Sequence, residues 1–149
     1  MSAQDVAKLR EDTGAGMMDV KRALDGAGGD YEKAKAALIA SGIAKADKKG
    51  DRITGAGHYE AYIHAGRIAV LLEMYAETDF VTRGEAFREA AKNIAMQISA
   101  TAPADVTALL AQPYLRDEGM TIEQYMKSVI AKVGENIKVS RFTRYQVGE

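Results

Sequence analysis

The sequence predicts an α+β chain, in which a bundle of three short helices comes first and a small antiparallel sheet packed on helices follows. Three observations carry that reading. Apolar residues recur at helical spacing in glycine-separated blocks as far as Gly42. Two stretches rich in Tyr, Ile, Val and Leu flank His64-Ala65-Gly66-Arg67, and two longer helical patterns precede a strand-like C-terminal segment.

In the first block Val6 and Leu9 share a helix face, and Gly14-Ala15-Gly16 breaks the pattern. Met17, Val20, Lys21 and Leu24 resume it until Gly26 and Gly28-Gly29. Asp30 is placed to accept a bond from a first-turn amide of a third helix, along which Tyr31, Ala34 and Leu38 line one face up to Gly42. Residues 1–43 thus form a bundle with a thin core. Residues 44–57, from AKADKKG to TGAG, are polar, basic and glycine-punctuated, which suits a linker or a short exposed helix.

Residues 58–149 hold the rest. Tyr59–Ala65 and Arg67–Ala76 read as a hairpin. Both alternating sets of its second strand are mainly apolar, so that strand is expected to be central and covered on much of both faces. Phe87, Ala90, Ala91, Ile94, Ala95 and Ile98 then mark a helix that Pro103 ends, with Thr82 and Glu85 as a capping box. Thr121 and Gln124 form a second box for a helix carrying Ile122, Tyr125, Met126, Val129, Ile130 and Val133, closed by Gly134. In the last strand Ile137 and Val139 share a face while Phe142 falls on the other, which implies a bulge or a two-sided environment.

Composition narrows the function. The 20 basic and 21 acidic residues leave a net charge of −1, so nothing in the bulk charge favours nucleic acid or an anionic membrane. The absence of cysteine removes disulfides, thiolate catalysis and cysteine-based metal sites. No apolar run reaches the roughly 20 residues of a membrane helix, and the start MSAQDVAKLRED lacks the apolar centre of a secretion signal. A soluble cytoplasmic protein is expected, with an organelle matrix or stroma left open.

Few residues invite chemistry. His58 and His64 have no carboxylate or cysteine at a metal-ligand spacing, and neither GAG at 14–16 nor GAG at 55–57 leads into the Lys-Ser or Lys-Thr of a phosphate loop. Lys45, Lys48, Lys49 and Arg52 read as a solvated face diluted by Asp47 and Asp51. No nucleophile–base pair, paired catalytic carboxylates or cofactor motif is found, so neither an enzyme nor a bound cofactor is expected.

Two segments carry a family resemblance. LREDTGAGMMDVKRAL, Leu9–Leu24, followed by GGDYEKAKAAL, resembles the N-terminal helical domain of elongation factor Ts, a bundle similar to the ubiquitin-associated fold. EMYAETDFVTR, Glu73–Arg83, resembles that family's core signature around Thr-Asp-Phe, and AKVGENIKVSRFTRY is a third similar piece in the expected order. The resemblance implies an α+β chain of ubiquitin-associated-like bundle plus dimerisation-type core, acting as a guanine nucleotide exchange factor for elongation factor Tu.

It further implies that Thr78, Asp79, Phe80 and Val81 meet the partner, Phe80 as a wedge and Asp79 hydrogen-bonding beside it. The residues alone also allow Phe80 as a core side chain at a strand-to-helix corner, with Asp79 a cap. Met17, Met18 and Lys21 form a second contact surface: one methionine is expected to fill the bundle core, and Met18 shares the outer face with Lys21. No direct nucleotide binding is implied.

The chain departs from the family pattern in places. A single Thr-Asp-Phe marks the short form with one core copy, Thr101 to Pro113 is cut down, and Tyr75 and Ala76 stand where the family has Asn and Cys. Thr143 replaces a related cysteine, excluding a disulfide-linked dimer through that position; a non-covalent homodimer is left open. The alternative to an exchange factor is a ubiquitin-associated-like protein-binding module without exchange activity.

Overall fold

The computed structural model describes residues 2–149, so only Met1 of the 1–43 segment lies outside it. Helices α1 (Ala3–Thr13), α2 (Met17–Gly26) and α3 (Tyr31–Asp47) form the bundle. Ser2 and Asp30 accept the Asp5 and Lys33 amides at the starts of α1 and α3. Leu9, Val20, Leu24, Ala34 and Leu38 make the buried centre.

Helix α3 does not stop at Gly42. It runs on to Asp47 and carries Ala46 into the larger core. The glycine serves contact instead of termination: a Cβ there would sit 2.9 Å from that of Ala131 on α7 (Ile122–Val133). Asp47 closes the same crossing through a 2.7 Å ion pair with Lys127. Gly14 has φ 71°, ends α1 in the left-handed conformation, and would drive a Cβ to 2.6 Å from the Lys132 Cα. The bundle is therefore seated directly on α7.

Strands β1 (Ala56–His64), β2 (Ile68–Ala76) and β5 (Ile137–Gln146) form an antiparallel sheet in the order β1-β2-β5. Ala65 and Gly66 both take positive φ in the three-residue connection, residues 65–67, between the paired His64 and Ile68. Strand β2 is central, as expected, but its two faces are covered unequally, one almost fully and the other only in part. Val70, Leu72, Met74 and Ala76 lie against helix α5 (Glu85–Thr101), whereas Leu71 on the opposite face is 45% exposed.

The irregular last strand contains a bulge. Met74 faces Val139 and Glu73 faces Arg141, so Ser140 is the extra residue. Its insertion reverses the alternation and returns Phe142, opposite Leu72, to the core side with Ile137 and Val139.

A one-turn helix, α4 (Asp79–Thr82), lies between β2 and α5. The capping box expected at Thr82 and Glu85 does not form. Gly84 is the N-cap of α5 without a side-chain bond, and the Thr82 hydroxyl donates to the Asp79 carbonyl within α4. The box at Thr121 and Gln124 forms in both directions. Between α5 and α7 the chain folds as α6 (Val106–Ala111) and the hairpin β3 (Pro113–Tyr114) and β4 (Asp117–Thr121). The Gln97 side chain ties it down, donating to the Pro113 carbonyl and accepting from the Leu115 amide.

Candidate functional site

The corner where β2 leads into α4 sorts four adjacent residues by exposure. Thr78 is the N-cap, and one helical turn then directs Val81 and Thr82 inward, at 7% and 5% exposure, while Phe80 points out at 84%. Phe80 is therefore not a core side chain. Asp79 is not the cap either: its carboxylate pairs with Arg83 one turn on, at 3.0 Å. Both groups are largely exposed, so the pair contributes little stability, and the carboxylate is free to change partners. Arg88 donates from Nε to the Thr82 carbonyl at 2.6 Å, bracing the end of α4 against α5.

The start of α4 is held from another part of the chain. Glu135 follows Gly134, which ends α7 in the left-handed conformation. Its carboxylate accepts the Thr78 amide at 2.9 Å and the Thr78 hydroxyl at 2.7 Å. The next residue, Asn136, donates its amide to Glu77 at 2.9 Å, and Glu77 lies 3.5 Å from Arg52. The Asn136 side chain, 2% exposed, donates to the carbonyls of Arg52 and Gly50 at 3.0 and 3.3 Å. Three segments remote in sequence thus meet behind Phe80. Spacing gave no warning of this, because Glu135 and Asn136 lie 57 and 59 residues from their partners.

The second set of predicted contact residues sits elsewhere. Helix α2 packs on α1 and α3, whereas α4 packs on β1, β2 and α5. Contrary to expectation, neither methionine fills the bundle core. Met17 is 48% and Met18 66% exposed, since Val20 and Leu24 alone of the helix's large apolar residues reach the centre. Lys21 is exposed beside them. Asp19 is held below the usual carboxylate range by hydrogen bonds from Lys45 and Arg22.

The outer face of the sheet is open. Tyr59 and Ile63 of β1, Leu71 of β2 and Tyr145 of β5 are 57%, 68%, 45% and 71% exposed. At its centre Glu73 is nearly buried and accepts from Arg141 Nε at 3.1 Å, while Arg141 also reaches the Tyr59 hydroxyl at 3.4 Å. Hydrogen bonds from Tyr59 and Arg141 outweigh burial and hold the Glu73 carboxyl below its ordinary range. Thr143 lies opposite Leu71 on this face.

Of the other candidates some have local partners, but the buried Nε2 of His58 has no hydrogen bond among the described residues. His58 stands edge-on to Phe87 with Nε2 3.7 Å from Glu60, and His64 Nδ1 lies 2.8 Å from the Tyr62 hydroxyl. Among the described residues no group of three or more His, Cys, Asp or Glu is placed to hold a metal, and no helix is long and apolar enough to cross a membrane. In the basic stretch Lys45 pairs with Asp19 at 3.2 Å and Arg52 with Glu77.

Comparison with known proteins places this arrangement in a family. Residues 77–149 match the family model described as elongation factor TS. The chain is 42% identical to elongation factor Ts of Nitratidesulfovibrio vulgaris, covering 99% of itself and 97% of that protein. It is 39% identical to elongation factor Ts of a Synechococcus species, with 100% and 90% covered. A chloroplastic polyprotein of EF-Ts from Oryza sativa subsp. indica is 38% identical over 97% of this chain and 17% of that much longer protein. The first of these alignments is 194 positions long, so at least 45 of them have no residue from this 149-residue chain. With full-length similarity at this level, the chain belongs to the elongation factor Ts family of translation elongation factors.

Proposed function

We propose that this chain is a guanine nucleotide exchange factor for elongation factor Tu and that Phe80 is its wedge. One observation carries the reading: a phenyl ring 84% exposed on a one-turn helix whose other side is anchored by Val81 and Thr82. An exposed ring on a fixed support has its apolar area available for a partner crevice, a gain of about 2–3 kcal/mol on full burial. If the crevice opens only when the elements around GDP and Mg²⁺ move, the factor binds the empty GTPase better than the loaded one. By linkage it then weakens nucleotide binding by the same factor. Asp79, next to the ring and paired only at the surface, supplies a hydrogen-bonding carboxylate. Exposed Thr78 borders the contact, while Val81, expected to meet the partner, is turned inward and supports the ring from beneath. Met17, Met18 and Lys21 add a separate docking surface on the bundle, where flexible thioethers adapt to the partner and Lys21 pairs with a carboxylate.

The test is release of labelled GDP from elongation factor Tu. The chain should accelerate it, and Phe80→Ala should remove most of the acceleration while leaving the melting temperature in place. Tight binding to the GTPase with an unchanged GDP off-rate would establish the protein-binding module instead.

We further propose that a second copy packs against the open sheet face. Tyr59, Ile63, Leu71 and Tyr145 form an apolar surface on one side of three paired strands, suited to a symmetric, self-complementary contact without a disulfide. Sedimentation at micromolar concentration reads the dimer directly.

A further inference from the structure

Phe80 has little of its own to fix its direction, so its pose is inherited from the backbone of α4. Building on the exchange reading above, we propose that Glu135 is a positioning residue: by gripping Thr78 it sets the start of α4 and thereby aims Phe80 at the partner.

The grip is unusual for a helix start. A threonine at an N-cap commonly turns its hydroxyl onto an amide of its own first turn. Thr78 has the extended backbone of an N-cap, φ −130° and ψ 158°, but makes no such bond. Its hydroxyl and its amide donate instead to the two oxygens of one carboxylate, that of Glu135. Two charge-assisted bonds to adjacent groups of a single residue restrict its rotation far more than one would. The next pair repeats the arrangement with the donor side exchanged, the Asn136 amide bonding to Glu77. Asn136 is itself buried and bonded to two carbonyls, so the holder does not drift. Without Glu135 the Thr78 hydroxyl could swing onto its own helix and α4 could rock about its Val81 anchor. A wedge that must be ordered on binding loses affinity and rate to that ordering, and a preset one does not.

Three variants separate aim from simple support. In Glu135→Ala the Thr78 amide should exchange with solvent about ten-fold faster, while amides of β2 and α7 keep their protection. The maximal rate of stimulated GDP release should fall about five-fold, with half-saturation changing less than about two-fold. Glu135→Gln keeps an acceptor for the amide and a donor for the hydroxyl oxygen, and should restore the rate to within about two-fold of the parent. Thr78→Val combined with Glu135→Ala should be no slower than the slower single variant, as expected for two residues acting through one contact. Unchanged Thr78 protection in Glu135→Ala, or a parental maximal rate, overturns the positioning role. A uniform loss of protection across β2 and α7 also overturns it, in favour of a general stabiliser. The other readings fail separately: the exchange reading where the parent chain leaves the GDP off-rate of the GTPase unchanged, and the wedge where Phe80→Ala stimulates release at the parental rate.

Discussion

The bundle and the sheet-containing core both present apolar side chains to solvent, but they hold them in opposite ways. On α2 the exposed groups are two methionines on a helix backed by a five-residue centre. Their unbranched chains can rearrange to fit a partner, so they suit docking. On α4 the exposed group is one rigid ring, on a turn fixed by Val81 and Thr82 from inside, by Arg88 at its end and by Glu135 at its start. A side chain meant to displace another protein's elements needs a support that yields less than its target does. On the proposed exchange reading, the difference in support gives the two surfaces different tasks.

Truncating each surface gives the sharpest test of that assignment. Phe80→Ala should reduce stimulated GDP release by about ten- to a hundred-fold, the loss expected from removing a buried aromatic ring. Met17→Ala with Met18→Ala should raise the concentration needed for half-maximal effect only about three-fold and leave the maximal rate near the parent's, since an adaptable contact is made equally before and after nucleotide leaves. Equal losses of maximal rate in the two would erase the distinction between wedge and dock.

How the bundle is joined to the core can be broken at one residue. Gly42→Leu should force α3 away from Ala131 and destabilise the chain by about 1–3 kcal/mol, the ordinary effect of overpacking a close helix crossing. Thermal unfolding measures the size. Loss of amide protection in α3 beyond Gly42, with β2 still protected, would locate the effect at the crossing.

Much of this architecture was legible because it rests on local patterns. Helical spacing and glycine breaks marked α1, α2, α5 and α7, and Thr121 with Gln124 marked a helix start that needs no tertiary help. Misreadings arose where a local signal had a distant cause. Gly42 looked like a helix end because glycine often is one, yet it is small for the sake of α7. Leu71 looked buried because apolar alternation does not say which face a sheet leaves open. The slip at Phe142 pointed to a bulge or a two-sided setting, and only pairing with β2 identifies Ser140 as the extra residue. At the site, Thr78 to Val81 could be singled out from a short motif. Glu135 and Asn136 could not, since nothing in their own segment signals a bond across nearly 60 positions.

The open sheet face offers a third contrast, an apolar surface built on paired strands. Leu71→Glu places a charge opposite Thr143 and beside the Glu73–Arg141 pair, at the centre of that face. If two copies meet there, sedimentation should shift from dimer to monomer at micromolar concentration, while melting of the monomer changes by less than about 0.5 kcal/mol, as surface changes usually do. A dimer that survives the charge must use another face.

The smallest effect concerns acid. In the bundle Asp12 accepts from Tyr31 and Lys35 at 3.0 and 3.2 Å, tying α1 to α3. Burial pushes its carboxyl up, but the bonds from Lys35 and Tyr31 prevail and hold it below the ordinary value. A depressed carboxyl pKa means that the unfolded chain binds the proton more readily. The contribution of Asp12 is therefore fully present above the unfolded value of about 4 and is lost as pH falls through the lower folded one. With so small a centre behind it, the bundle should register that loss first. Amide protection in α1 and α3 should drop below about pH 4 before that in β2 and α5, and Asp12→Asn should lower protection at neutral pH while flattening its fall on acidification. A parent bundle that holds its protection to lower pH than the core would show that the contact between α3 and α7, and not the Asp12 cluster, governs the bundle's stability in acid.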